Sequence, residues 1–114
     1  ITERLVGSEM CIRDRVQQGQ AERLILHPRD HGCHAADVEW SDETAWTEKA
    51  LAALDNRGPL LDALRWNAGA YLWFSGLSDS LESGLQTADG VLKTGQALQC
   101  LDQLRSWRSH LSIR

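Results

Sequence analysis

Apolar side chains recur at three- and four-residue spacing through most of the chain beyond residue 41, and that spacing predicts helices. The stretch 58–76 organises the rest and reads as one central helix. Pro59 suits a first helical turn, where its missing N–H would have been an unpaired donor, and Gly76 supplies a stop. Asp62 and Arg65, three apart, share a solvated face, while Leu60, Leu61 and Leu64 point the other way. From Ala68 to Phe74 the side chains are apolar apart from the Tyr71 hydroxyl and the Trp73 indole N–H, so this end is expected to be enclosed on nearly every side. A bilayer crossing needs about twenty apolar residues. This run is shorter and Arg65 interrupts it, so it is not read as a membrane span.

Three more helices flank the central one. Ser41, Asp42 and Glu43 open the first with capping oxygens and acidic charge, and Trp46, Ala50, Leu51 and Leu54 form its apolar face. Asp55-Asn56-Arg57-Gly58 ends it. After the central helix, Ser78 or Asp79 is expected to cap a helix whose face is Leu81, Leu85, Ala88 and Leu92, closed by Lys93 and Gly95. Gly84 and Gly90 each weaken that helix by about 1 kcal/mol against alanine, and close approach of a neighbouring helix would explain them. A last helix from about Gln96 carries Ala97, Leu101, Leu104 and Trp107, with 109–114 expected to fray.

Ahead of the helices, the branched and apolar run 22–27 reads as a strand ended by Pro28. Gln17-Gln18-Gly19-Gln20 reads as a turn, and if Val16 closes an earlier strand, Gly19 is the tip of a hairpin. A lone strand leaves its ladder groups without partners, so this one expects neighbours that the chain does not supply, the first arm of the hairpin being mostly missing. Pro28-Arg29-Asp30-His31-Gly32 is turn chemistry, and 37–40 is a further extended candidate. The fold class is mainly α: about four helices plus one or two short N-terminal strands.

Composition narrows the function classes. With 114 residues, 42% hydrophobic and 25% charged, the chain has room for one ordinary soluble domain. A net charge of −4 and a pI near 5.5 argue against a nucleic-acid surface, which normally carries a basic patch. Cys11, Cys33 and Cys100 are odd in number and unpatterned in spacing, which points to a reducing cytoplasm rather than a disulfide framework. The first sixteen residues lack the continuous apolar core of a signal peptide. Within them, Ser8-Glu9-Met10-Cys11-Ile12-Arg13-Asp14-Arg15 resembles a peptide translated from sequencing-adapter DNA. Residues 1–15 are therefore expected to be a non-native leader or a poorly ordered terminus with no part in function. The lack of an initiating Met fits a truncated reading frame.

Candidate chemistry is thin. His27, Asp30, His31, Cys33 and His34 are five potential ligands within eight residues, and zinc accepts such donors. Their spacing matches no zinc pattern, and so tight a loop aims four donors at one point only with difficulty, so a polar surface turn is the better reading. A nucleophilic pair of Cys33 with His34 or His31 is weaker still, because near neighbours seldom place thiolate and imidazole in reach. Asp37, Glu39, Asp42 and Glu43 read as a solvated face and a helix N-terminus rather than a metal cluster. Asn67 interrupts the apolar end of the central helix, and a buried amide must find partners, so it is read as clamping a loop or a neighbouring helix rather than contacting a substrate. The five tryptophans read as core or interface material. There is neither a Gly-rich phosphate cradle nor a Gly-x-Ser-x-Gly elbow.

Several of these residues fall into a recognisable order. Gly58-Pro59, Asp62, Asn67-Ala68-Gly69-Ala70-Tyr71-Leu72, Gly76, Asp79-Ser80-Leu81, Gly84 and Thr94-Gly95-Gln96-Ala97 resemble the carboxyl-terminal part of the anthranilate phosphoribosyltransferase family, glycosyltransferase family 3. Gly19, Pro28, Asp30 and Gly32 resemble the strand and turn ahead of those helices, so the likeness covers about 16–107. It implies that 16–114 is a fragment of the large α/β domain of a two-domain, usually homodimeric enzyme. The family's reaction, in tryptophan synthesis, moves phosphoribosyl from phosphoribosyl pyrophosphate to anthranilate with magnesium. Its Gly-Thr-Gly-Gly-Asp loop does not occur here, and the resemblance places both that loop and the family's Asp-Glu magnesium pair upstream of this sequence. The resemblance therefore assigns no catalytic, cofactor-binding or metal residue to this chain, and implies a fragment inactive alone. Its implied partner is the remainder of the enzyme, with neither nucleic acid nor membrane, in the cytoplasm. One departure stands out: Val38-Glu39-Trp40-Ser41-Asp42-Glu43-Thr44 replaces the family's usual Gly-Gly-Asp and Glu-Asn-Ala. A divergent acceptor is compatible with that change, because fold is not function. The competing reading is a small helical interaction module that uses Trp46, Trp66 or Trp73 as a partner surface.

Overall fold

The computed structural model describes residues 11–34 and 39–111, and these form a two-stranded hairpin followed by four helices. Strands β1 (Cys11–Gln17) and β2 (Gln20–Leu26) pair antiparallel, with Gln17 opposite Gln20 and Ile12 opposite Ile25. Their two-residue connection puts both Gln18 (φ 53°) and Gly19 (φ 79°) in the left-handed region, which matches the twist of the flanking strands. The hairpin tip expected at Gly19 is present, but its first arm is not mostly missing: it runs through Cys11–Gln17, so residues 11–15, read as a leader or poorly ordered terminus, pair with β2. On β2, Leu24 and Leu26 turn inward while Ile25 is left 58% exposed. The expected extended stretch at 37–40 lies partly outside the described residues, as do the ends at 1–10 and 112–114.

Helix α1 (Glu43–Leu54) opens as its sequence requires: Asp42 is extended and its Oδ1 accepts from the Ala45 N–H at 2.8 Å. Its buried residues are Ala52 and Ala53, with Trp46, Ala50, Leu51 and Leu54 only half-buried. The turn that follows explains the shift at Ala52. Gly58 (φ 89°) brings the chain back so closely that a Cβ there would stand 3.0 Å from the Ala52 methyl.

Helix α2 (Leu61–Phe74) starts two residues after Pro59, which instead sits in a turn closed by Leu61 N–H to Gly58 O at 3.3 Å. It ends at Ser75, with Gly76 at φ 83°, as the glycine implied. The enclosure expected of 68–74 is incomplete: Gly69 and Ala70 are buried, Ala68, Leu72, Trp73 and Phe74 are half-buried, and Tyr71, at 59%, is the one exposed residue of the helix. The hairpin touches this helix near its end, where the Arg15 guanidinium lies 5.0 Å from the Trp73 ring centroid.

Helix α3 (Leu81–Lys93) buries Leu81, Leu85, Ala88 and Leu92, the face that its spacing predicts. The cap is neither Ser78 nor Asp79. Ser78 donates its N–H to Leu72 O at 3.0 Å in closing α2, so the chain turns helical later and Ser80 Oγ accepts from the Ser83 N–H at 3.1 Å. Gly84 meets α2 at its point of closest approach: a Cβ there would collide with the Gly69 carbonyl oxygen. Gly90, in contrast, has open space beside it, so the packing expected from sequence holds for one glycine of the two. Helix α4 (Gln96–His110) follows after Gly95 (φ 81°). Of its expected stripe, Ala97 and Leu101 are half-buried while Leu104 and Trp107 are 58% and 60% exposed.

The core therefore lies between α2, α3 and the segment after β2. Cys33, Trp66, Ala70, Leu81 and Leu85 form it, and Leu26, Ala63, Trp73 and Phe74 pack at its margin. Among the described residues no helix is long and apolar enough to cross a membrane.

Candidate functional site

Residues 27–34 are positioned by a 3-10 turn, Pro28–His31, that begins where β2 ends. Pro28 is buried, the Asp30 N–H reaches His27 O at 3.0 Å, and Gly32 (φ 77°) lets Cys33 N–H bond Pro28 O at 3.0 Å. So tight a turn splays the five potential ligands apart. The His31 ring lies 5.6 Å from Trp66, and its Nδ1 is 3.7 Å from Glu82 Oε1. Cys33 points into the core, whereas exposed His34 is tied down by its backbone N–H to Asp62 Oδ2 at 2.7 Å. Among the described residues no three His, Cys, Asp or Glu side chains converge to hold a metal ion.

Cys33 is 2% exposed, and burial pushes its thiol above the ordinary range. The Arg65 guanidinium opposes that shift, and the carboxylates of Asp62 and Asp89 reinforce it. This is the reverse of an activated thiolate. Because the folded-state pKa is raised, the thiol favours the folded state fully below the unfolded value of about 8.5. That contribution is lost as pH rises past the unfolded value toward the folded one. At pH 8, alkylation followed by peptide mapping should label exposed Cys100 quickly and Cys33 at least about tenfold more slowly. Comparable rates at the two positions would contradict the buried placement.

Beside the turn, charged groups of α2 and α3 meet. Arg65 Nη1 lies 3.1 Å from Asp62 Oδ1, and its buried Nε sits 3.3 Å from Asp89 Oδ1 without pointing at it for a hydrogen bond. Lys93 Nζ holds the other Asp89 oxygen at 2.9 Å. These groups are a fifth to a third exposed, apart from the more open Lys93, so the chain of charges contributes modestly to stability. Together with Asp30, His31, Glu82, Leu85 and Gln86, Arg65 and Asp89 line a cleft of about 240 Å³. The Asp62–Arg65 pair follows from helical spacing, as does Asp89–Lys93 at i,i+4. Arg65–Asp89 joins separate helices, and no local spacing announces it.

The remaining candidates have structural placements. Asp42 caps α1, Glu43 occupies its first turn and Glu39 is exposed, while Asp37 lies outside the described residues. Asn67 is half-buried and its Nδ2 donates to Ala63 O at 3.2 Å, one turn back in α2, a bond within its own helix rather than to a loop or a neighbouring helix. Trp66 is wholly buried, so it offers no partner surface. Trp46 packs against Trp40 with ring centroids 5.8 Å apart, and Trp73 stacks on Phe74 at 5.2 Å.

No protein-family model matches the chain. Similarity to individual proteins is clear. Anthranilate phosphoribosyltransferase of Xanthomonas campestris pv. campestris (strain B100) is 35% identical over 91 residues, covering 76% of this chain and 26% of that protein. The enzyme of the same name from Laribacter hongkongensis (strain HLHK9) is 39% identical over 95 residues, covering 78% and 27%. That from Chlamydia felis (strain Fe/C-56) is 31% identical over 105 residues, covering 87% and 30%. The chain thus spans between a quarter and a third of the length of these relatives, and over most of its own length it is similar to part of an anthranilate phosphoribosyltransferase.

Proposed function

We propose that this chain is the carboxyl-terminal section of an anthranilate phosphoribosyltransferase-like enzyme, serving as part of its large domain, while the reaction takes place on residues outside it. The observation that carries this reading is the 31–39% identity to proteins of that name over most of the chain. A second supports it. The residues that carry the resemblance have folding tasks: Gly58, Gly76 and Gly95 adopt positive φ, Asp62 anchors His34, Gly69 and Gly84 let α2 and α3 approach, and Ser80 caps α3.

The proposed reaction joins the anthranilate nitrogen to the anomeric carbon of phosphoribosyl pyrophosphate and expels pyrophosphate. Such a transfer depends on holding the diphosphate in place and stabilising the charge it carries away. No Gly-rich loop suited to that work occurs in this sequence, its one Asp-Glu dipeptide, Asp42-Glu43, opens α1, and magnesium is assigned to residues outside the chain. Alone, the chain is inactive in this reading. Its partners are the remainder of the enzyme and, in the complete protein, a second copy; the setting is the cytoplasm. The helical-module alternative loses Trp66 to the core. Reading the source DNA ahead of the Gln17 codon tests the proposal. An in-frame Gly-rich loop and Asp-Glu pair are expected there, and a start codon near Val16 with nothing coded ahead of it would overturn the enzyme reading.

A further inference from the structure

We draw no further inference here: the strongest candidate, the cleft of about 240 Å³ between the Pro28–His31 turn, α2 and α3, carries nothing because it belongs to the charge network already described, with Arg65 paired to Asp62 and Asp89 and His31 facing Glu82.

Discussion

Trp66→Ala should leave the chain largely unfolded at room temperature or lower its melting midpoint by more than about 12 °C. Trp66 has no exposed surface and joins the three parts of the core: Cys33 after the hairpin, Ala70 on its own helix, and Leu81 with Leu85 on α3. Truncating a buried tryptophan costs about 3–5 kcal/mol in lost transfer energy and residual cavity. A small domain has only about 5–15 kcal/mol in total, and each kcal/mol shifts the midpoint by about 4–8 °C. The matched control is Trp107→Ala, at a position 60% exposed on α4, where a change within about 0.5 kcal/mol is expected. Thermal melts by circular dichroism compare the two. Equal midpoints would show that Trp66 does not organise the core.

One substitution made at two places on α3 should have opposite effects. Gly90→Ala adds a methyl where nothing lies within 4 Å, so the helix gains up to about 1 kcal/mol of propensity and melts higher. Gly84→Ala gains the same propensity, but its methyl meets the Gly69 carbonyl oxygen. Overpacking costs about 1–3 kcal/mol, and here it lies at the upper end because the atom encountered is backbone and has no rotamer to yield. The helices must separate, which loosens Leu85 against Gly69 and with it the Trp66 cluster. Gly84→Ala should therefore melt lower than the parent, and a midpoint at or above the parent's would contradict the close crossing.

How much the sequence revealed depended on whether the cause was local. The buried face of α3 follows from spacing alone, and the Asp42 cap and Gly76 stop need only their own turn of chain. Ser80 caps α3 in place of Ser78 or Asp79 because a backbone bond from Ser78 to Leu72 delays the helix, and that bond exists only once α2 has ended. Leu104 and Trp107 follow an apolar spacing but lack cover among the described residues, since periodicity marks a face without supplying its neighbour. The same limit separates Gly84 from Gly90: both glycines weaken a helix, and only the crossing point distinguishes them. At the cleft, Asp62–Arg65 was legible at i,i+3 and Arg65–Asp89 was not, because that ion pair spans two helices. The turn at 27–34 looked richest in chemistry, yet its geometry disperses the donors that the sequence brings together.

The signals that point to a family are thus glycines, caps and a loop anchor, which describe how this section folds, whereas the reaction proposed for it needs a phosphate cradle and metal ligands. The decisive measurement is a pair of assays following anthranilate fluorescence in the presence of phosphoribosyl pyrophosphate and magnesium. One uses the 114-residue chain and the other the protein encoded by its extended reading frame. The account predicts consumption of anthranilate by the extended protein and none above background by the chain alone. Magnesium-dependent turnover by the short chain, or an extended protein that leaves anthranilate untouched, would contradict it.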